Sequence, residues 1–302
     1  MKTDPFKEIF AVENVTDKLA TELVKTRKGA FVLFEVRNYV CLSGEIYKLH
    51  KILNGLSKNL VIIPTYNEKE NIANIIEAVF SLNKPFEVLI VDDNSPDGTA
   101  DIVKSIQAEP ARVDKLHLLQ REGKLGLGTA YIAGFKYAIK EGYDYVFEMD
   151  ADFSHNPRDL ERLLQACEED GNDVAIGSRY VKGVNVVNWP MGRVLMSYFA
   201  SKYVKAITGM PFADSTAGFK CYHRSVLETI ELDKIRFIGY AFQIEMKFNA
   251  WKSGFKITEV PIIFTDRTKG VSKMSSAIFK EAVFGVIELK LRSWFKKYPT
   301  RG

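Results

Sequence analysis

The central part of the chain alternates between short apolar runs and amphipathic stretches. From residue 59 onward, runs typical of buried strands are separated by stretches in which apolar residues recur every three or four positions. The predicted strands are residues 60–64, 87–91, 115–119, 143–149 and 173–177, and the predicted helices are residues 67–82, 99–107, 128–141 and 157–170. Strands that alternate with helices predict an α/β fold, with a mostly parallel sheet flanked by helices on both faces.

The two ends of the chain depart from this pattern. Residues 1–58 contain helix-like and strand-like segments but no chemical motif, so we treat them as an N-terminal extension of unknown role. Residues 59–274 carry the alternating pattern, with a further strand-like segment at 256–264. Residues 275–302 are expected to form a basic C-terminal amphipathic helix. Its apolar side could lie on an anionic membrane or pack against the domain itself.

Composition narrows the function classes. Hydrophobic residues make up 46% of the 302 residues and charged residues 26%, which is typical of a folded protein. The net charge of +4 does not by itself indicate a nucleic-acid partner. No stretch approaches the roughly 20 apolar residues of a membrane-spanning helix, and we expect no secretory signal at the start. The three cysteines are scattered, which fits neither a disulfide framework nor a zinc site and favours the cytoplasm.

Acidic residues follow several of the predicted strands, where parallel sheets bind ligands. Asp150 and Asp152 come directly after the fourth strand, and two carboxylates in such a turn suit Mg²⁺ or Mn²⁺. The alternative is a solvated turn or a helix cap. Asp92 and Asp93 end the second strand, where paired acids are costly unless they are partnered or bind a ligand. The four histidines share no spacing. His155 is close to Asp152 in sequence and could lie near the metal, but we expect it at the surface.

Cationic side chains form two candidate anion sites. Arg179 follows the fifth strand, while Arg193 and Ser197 are spaced to share one face of a helix. Residues 266–273 combine three cations with Gly and Ser, as a flexible anion-binding loop would. Both sets could instead be ordinary solvated surface. Residues 267–302 hold nine Lys or Arg against two Glu, so the positive charge of the chain is concentrated near its end.

Taken together in chain order, these segments resemble a known enzyme family. The segments PTYNEKENI, VDDNSPDGT, MDADFSHNP, GSRY, STAGFKCY and DRTKGVSK are similar to those of the dolichyl- and polyprenyl-phosphate mannose synthases. These are family-2 glycosyltransferases with the GT-A fold. The resemblance implies a GT-A domain at 59–274 that transfers mannose from GDP-mannose to polyprenyl (dolichyl) phosphate, with inversion and with Mg²⁺ or Mn²⁺. It also implies membrane association on the cytoplasmic face, with a small membrane subunit in some relatives.

The same resemblance assigns roles to individual positions. The residues expected to bind the nucleotide sugar are Pro64, Tyr66, Glu68, Val91, Asp93, Lys124, Asp150, Ala151, Asp152, Arg267 and Lys273. The expected metal ligands are Asp150, Asp152 and Ser154, and the expected catalytic residues are Asp150, Asp152, Arg267 and Lys273. The acceptor phosphate is expected at Arg179, Arg193 and Ser197.

Two other functions compete with this one. A relative within the class would transfer glucose or N-acetylglucosamine from a UDP-sugar to the same lipid. A protein of another class would bind lipid or nucleotide as a non-catalytic subunit, which the intact acidic and basic motifs disfavour. The chain lacks a Q-x-x-R-W motif, which disfavours a processive polysaccharide synthase.

Overall fold

The structure is a computed structural model that describes residues 57–266 and 276–300, without the side chains of residues 240 and 276–282. The expected N-terminal extension, apart from its last two residues, lies outside the described residues. So do Arg267 and Lys273, the two cations expected in the anion-binding loop.

A seven-stranded sheet forms the centre of the domain, with strand order β3-β2-β1-β4-β7-β5-β8. Its strands are β1 (Asn59–Thr65), β2 (Glu87–Asp92), β3 (Leu116–Gln120), β4 (Tyr145–Glu148), β5 (Val174–Ser178), β7 (Lys220–His223) and β8 (Ile257–Pro261). The short strands β6 (Val186–Val187) and β9 (Phe264–Thr265) pair separately and in parallel. Only β7 runs antiparallel within the large sheet, to β4 on one side and β5 on the other. The predicted α/β fold with a mostly parallel sheet is therefore confirmed.

The predicted helices are present with small shifts in their ends. The helices of the described residues are α1 (Ile72–Phe80), α2 (Thr99–Gln107), α3 (Leu127–Glu141), α4 (Asp159–Glu168), α5 (Met191–Thr208), α6 (Arg224–Thr229), α7 (Tyr240–Lys252) and α8 (Ser276–Arg292). The helix α1 begins five residues later than predicted. Asn67 adopts a left-handed backbone conformation with φ of 56°, which the first turn of a right-handed helix cannot contain.

Both faces of the sheet are covered by apolar side chains. Along β1, Leu60 and Ile62 belong to one hydrophobic core, whereas Val61 and Ile63 belong to the other. This alternation follows from the two-residue period of a strand. Helix α3 can approach the sheet closely because residue 134 is a glycine. A Cβ at this position would lie only 2.7 Å from the Ile62 side chain. The parallel strands are thus buried on both sides, and the polar residues that follow them collect at one edge.

Helix α8 has both a buried and an exposed apolar side. Val286 and Leu289 are buried, whereas Phe284, Ile287 and Leu291 are exposed. The predicted C-terminal helix is therefore present, and part of its apolar surface packs on the domain. Among the helices of residues 57–266 and 276–300, none is long and apolar enough to cross a membrane.

Candidate active site

The polar segments expected to carry the chemistry lie at one edge of the sheet. The strands β1, β2, β4 and β5 all run in the same direction, and their carboxyl ends therefore meet at that edge. Strand β1 lies between β2 and β4, so the segments after these three strands are neighbours. The segment after β5 is separated from them by β7.

The two acids at the end of β2 have different partners. Asp92 is fully buried and accepts hydrogen bonds from the Thr65 hydroxyl at 3.0 Å and from the Ser95 hydroxyl at 2.6 Å. Asp93 accepts from Nε of Arg121 at 2.6 Å. Burial raises the pKa of Asp93, and Arg121 only partly opposes this shift. Asp92 therefore holds the turn together, while the charged pair of Asp93 and Arg121 lies at the candidate site.

Of the other residues expected to bind the nucleotide, the structure brings two into direct contact. The Lys124 ammonium lies 5.0 Å from the centre of the Tyr66 ring, in a cation–π contact that brings these two residues together. Glu68 accepts a hydrogen bond from the Asn71 amide at 3.2 Å. The Val91 side chain is fully buried in the core, so only its backbone is available to a ligand. Pro64 is half-buried at the end of β1.

The segment after β4 forms a tight acidic loop. The backbone N–H of Ser154 donates to Oδ1 of Asp152 at 3.1 Å, and Phe153 has a left-handed φ of 60°. Asp152 is buried, whereas the Asp150 side chain is 42% exposed. The expectation that His155 lies at the surface is wrong, because the residue is only 4% exposed. Burial lowers its pKa to about 4, which keeps the ring neutral near pH 7.

This loop could supply some of the ligands of a divalent cation, with substrate phosphates and water supplying the others. The Ser154 hydroxyl is buried and finds no hydrogen-bond partner among the described residues, and it lies in the same loop as Asp150 and Asp152. Within the described part of the chain, no group of three or more His, Cys, Asp or Glu side chains could hold a metal ion. Two carboxylates and a hydroxyl are an incomplete shell for Mg²⁺ or Mn²⁺, which commonly use substrate phosphates and water for the rest.

The first of the two expected acceptor arginines is held by a buried carboxylate. Asp214 accepts from Nε and from Nη2 of Arg179, both at 2.7 Å, and from the Arg179 backbone N–H at 3.0 Å. The Thr216 hydroxyl accepts a further bond from Arg179 Nη2 at 2.9 Å. Burial of Asp214 favours its protonated form, but the charge of Arg179 outweighs burial and lowers the pKa of Asp214.

The second expected arginine lies on α5, as its spacing from Ser197 predicts. Nη1 of Arg193 donates to Asp266 at 2.8 Å, and its guanidinium lies 4.1 Å from the centre of the Trp189 ring. Arg179 lies 5.7 Å from the centre of the same ring. The two arginines therefore share one aromatic neighbour.

A cavity of about 470 Å³ joins these groups. Its polar lining includes Asp150, Ser154, His155, Arg179, Arg193 and Ser197. Most of the remaining wall is apolar and comes largely from α5, α7 and α8; it includes Met196, Phe199, Ala200, Tyr203, Val204, Ile244 and Val283. The cavity therefore combines cationic and acidic side chains with a largely apolar wall.

Three features of this site were not predicted from the sequence. They are the pairing of Asp93 with Arg121, the pairing of Arg179 with Asp214, and the burial of His155. Asp214 directly precedes the STAGFKCY segment, so that segment was the available signal. No spacing rule connects Asp214 with Arg179, because the two are 35 residues apart.

Comparison with known proteins gives a consistent picture. The profile of glycosyl transferase family 2 matches residues 60–231. The chain is 46% identical over 236 residues to the polyprenol monophosphomannose synthase of Mycolicibacterium smegmatis, covering 78% of this chain and 88% of that protein. It is 45% identical to the undecaprenyl-phosphate mannosyltransferase of Micrococcus luteus, covering 75% of this chain and 91% of that protein.

Solved structures share the fold at much lower identity. Glucosyl-3-phosphoglycerate synthase from Mycobacterium tuberculosis, in complex with Mn²⁺, UDP and glucosyl-3-phosphoglycerate, superposes with a TM-score of 0.57. It is 16% identical, and the match covers 84% of this chain and 86% of that one. TarS of S. aureus, in complex with UDP-GlcNAc, gives a TM-score of 0.53 at 22% identity, covering 77% of this chain and 65% of that one. These likenesses support the GT-A fold expected from the sequence.

The buried pair of Asp214 and Arg179 makes a prediction about stability. We expect Asp214→Asn to lower the free energy of unfolding by about 3–5 kcal/mol at pH 7, because it leaves a buried arginine without its counter-charge. The pKa of Asp214 is lowered in the folded state, so its contribution is present above the unfolded pKa and is lost as the pH falls through the folded value. The measurement is urea unfolding at pH 7 and at pH 3. The difference in free energy of unfolding between variant and wild type should be smaller at pH 3.

The control for this substitution is Asp101→Asn. Asp101 pairs with Lys104 on the exposed face of α2, where ion pairs contribute about 0–1 kcal/mol. An Asp214→Asn protein as stable as the Asp101→Asn protein would show that the buried pair does not support the fold.

Proposed function

Because the chain belongs to glycosyl transferase family 2, we propose that it transfers mannose from GDP-mannose to a polyprenyl phosphate, with inversion at the sugar carbon. The names of the two close relatives support a mannosyl transfer to such a lipid. The observation that carries the proposal is the lining of the cavity. Two arginines within a largely apolar lining match an acceptor with an anionic head and an apolar chain.

The donor is proposed to lie across the ends of β1, β2 and β4. Tyr66 and Lys124 offer an aromatic face and a cation, and Asp93 with Arg121 offers polar groups for the nucleoside. The other proposed donor contacts are Pro64, Glu68, the backbone of Val91, Ala151, Arg267 and Lys273, of which the last two lie outside the described residues.

Asp150 and Asp152, with the Ser154 hydroxyl, are the groups proposed to hold Mg²⁺ or Mn²⁺. Such a cation, when bound, would offset the negative charge that develops on the departing diphosphate. Asp150 is the more exposed of the two carboxylates and lines the cavity, whereas Asp152 is buried and accepts from the loop backbone. Asp152 thus fixes the loop, and Asp150 faces the substrates.

The acceptor explains why the site needs little proton transfer. A phosphate monoester is already an anion at pH 7, so no general base has to remove a proton from the nucleophile. In the proposed reaction an oxygen of the acceptor phosphate bonds to the anomeric carbon. The bond from that carbon to the diphosphate breaks, and GDP leaves with the electron pair. Arg179 and Arg193, with Ser197, would hold the acceptor phosphate on the face opposite the leaving group.

A panel of donors and acceptors tests the proposed function. The purified chain is incubated with GDP-mannose, UDP-glucose or UDP-N-acetylglucosamine and with a polyprenyl phosphate, in Mg²⁺, in Mn²⁺ and in EDTA. We expect a β-linked mannosyl phosphate by mass spectrometry and NMR, formed from GDP-mannose and lost in EDTA. Transfer from a UDP-sugar in the absence of transfer from GDP-mannose would contradict the donor assignment.

A substitution in the acidic loop tests the proposed role of its carboxylates. We expect Asp152→Ala to lower kcat by about a thousandfold or more, because it removes both a ligand and the acceptor of the loop hydrogen bond. Circular dichroism and the unfolding midpoint are measured alongside, since the predicted loss is chemical and the fold should persist. Full activity of this variant would remove the metal role from the proposal.

The acceptor lipid implies contact with a membrane, and the described surface offers a suitable face. Helix α5 exposes Met191, Leu195 and Phe199, which are spaced four residues apart. Helix α8 and the segment after it expose Phe284 and Phe295, which are 68% and 88% accessible. Helices α5 and α8 are in contact, since the Tyr203 hydroxyl donates to the Val283 carbonyl at 2.9 Å. We therefore propose that the protein binds a membrane peripherally, alone or with a small membrane subunit. The family resemblance is what suggests the cytoplasmic face.

Vesicle binding tests this placement. Replacing both Phe284 and Phe295 with Ser should weaken binding to vesicles of phosphatidylglycerol and phosphatidylcholine by about tenfold or more, because two large apolar side chains no longer enter the lipid. Flotation assays measure this, and Val113→Ser, which changes an exposed apolar residue between α2 and β3, is the matched control. Equal flotation of the double variant and the control would exclude this face, and wild-type protein that binds only with a membrane subunit would indicate recruitment by that subunit.

A further inference from the structure

His155 is held in one orientation by two aromatic rings. Its ring is stacked on Phe219, with centroids 4.8 Å apart and planes 12° apart. Phe264 packs against it edge-on, with centroids 5.2 Å apart and planes at 84°. The backbone N–H of Thr265, next to Phe264, donates to the Ser154 carbonyl at 3.2 Å. The plane of the imidazole is therefore fixed before any ligand binds.

One of these nitrogens is unpartnered although it is buried. Nδ1 of His155 finds no hydrogen-bond partner among the described residues. Oδ2 of Asp150 lies 4.0 Å from this nitrogen, which is too far for a hydrogen bond. Buried polar atoms in native proteins are nearly always satisfied by protein groups or ordered water, so an unsatisfied one calls for an explanation such as a functional role or a bound ion.

The surroundings of His155 indicate which ligand this is. The residue lines the cavity together with Arg179, Arg193 and Ser197, whereas Tyr66, Glu68 and Asp93 on the nucleotide side do not line it. Phe264 packs against His155, and the guanidinium of Arg179 lies 5.6 Å from the centre of the Phe264 ring. The imidazole and the proposed acceptor cations thus belong to one wall of one cavity.

We propose that Nδ1–H of His155 donates a hydrogen bond to an oxygen of the acceptor phosphate. His155 would then contact the substrate, although it is not among the residues proposed to bind the metal or the nucleotide sugar. Phosphate oxygens only accept hydrogen bonds, so Nδ1 carries the hydrogen in the bound form. The inference rests on the proposed function, because it takes the acceptor to be a lipid phosphate in this cavity.

Two substitutions separate this role from a purely structural one. His155→Phe keeps the aromatic volume and the stacking on Phe219 but removes the donor, whereas His155→Asn restores an N–H donor. We expect His155→Phe to raise KM for farnesyl phosphate about tenfold or more, with KM for GDP-mannose within about twofold of wild type. His155→Asn should recover part of the difference. His117→Asn, which changes a histidine paired with Glu87 on β2, is the control.

Other results overturn the proposal. A rise in KM for GDP-mannose without a rise for farnesyl phosphate would place the ring on the diphosphate. Unchanged KM values, or a rise in both together with a lower unfolding midpoint, would leave only a structural role.

A binding measurement distinguishes failure of this inference from failure of the proposed function. The histidine rings are labelled with ¹⁵N, and the His155 signal is the one missing from His155→Phe. We expect it to shift on addition of farnesyl phosphate, without nucleotide or metal, and to stay unchanged with farnesol or with GDP. A protein that transfers mannose without this shift refutes the inference alone. A protein that shows the shift but transfers no mannose refutes the proposed function alone.

Discussion

The position of the antiparallel strand β7 between β4 and β5 determines the layout of the site. Lys220 on β7 lies directly opposite Glu148 on β4, with 3.1 Å between Nζ and Oε2, and both are fully buried. Gln243 and Tyr222 donate to the same carboxylate, at 2.6 and 3.0 Å. Buried charges are tolerated only when they are paired and hydrogen-bonded in this way. Because neighbouring strands are about 4.8 Å apart, the inserted strand separates the ends of β4 and β5 by about 10 Å. In the proposed reaction, the transferred sugar would lie in that separation, between the acidic loop and Arg179.

The same strand brings its preceding segment into contact with Arg179, one of the two arginines proposed to bind the acceptor. Asp214 and Thr216 lie in that segment and hold Arg179, while the backbone N–H of Asp214 is itself held by Glu259 on β8 at 2.9 Å. A carboxylate beside the arginine weakens its net attraction for a phosphate but fixes the direction of its N–H groups. Groups oriented in advance lose less entropy on binding and need no reorganisation in the transition state. We therefore regard the acceptor end as a rigid receptor for one oxyanion.

The sequence was informative where local pattern and structure coincide. Strands 60–64 and 87–91 are almost entirely apolar because both faces of the sheet are covered, and Asp150 and Asp152 follow a third predicted strand. Strand β7 escaped prediction because it is four residues long and begins with a lysine whose buried counter-charge, Glu148, lies 72 positions earlier. His155 escaped for the same reason, since Phe219 and Phe264, which bury it, are distant in sequence. Contacts between residues that are tens of positions apart produce no local periodicity, so the sequence pattern does not predict them.

The apolar wall of the cavity contributes to the chemistry as well as to lipid recognition. Coulomb interactions strengthen as the local dielectric falls, so two arginines lined by Phe199, Ile244 and Val204 attract a phosphate more strongly than the same arginines in water. The same wall gives the first segment of an isoprenoid chain a favourable environment, because its burial releases water from apolar surface. A water-soluble phosphate would gain from the arginines alone, whereas a lipid phosphate gains from both. In the proposed function, a preference for a lipid acceptor would therefore come from the part of the cavity that carries no charge.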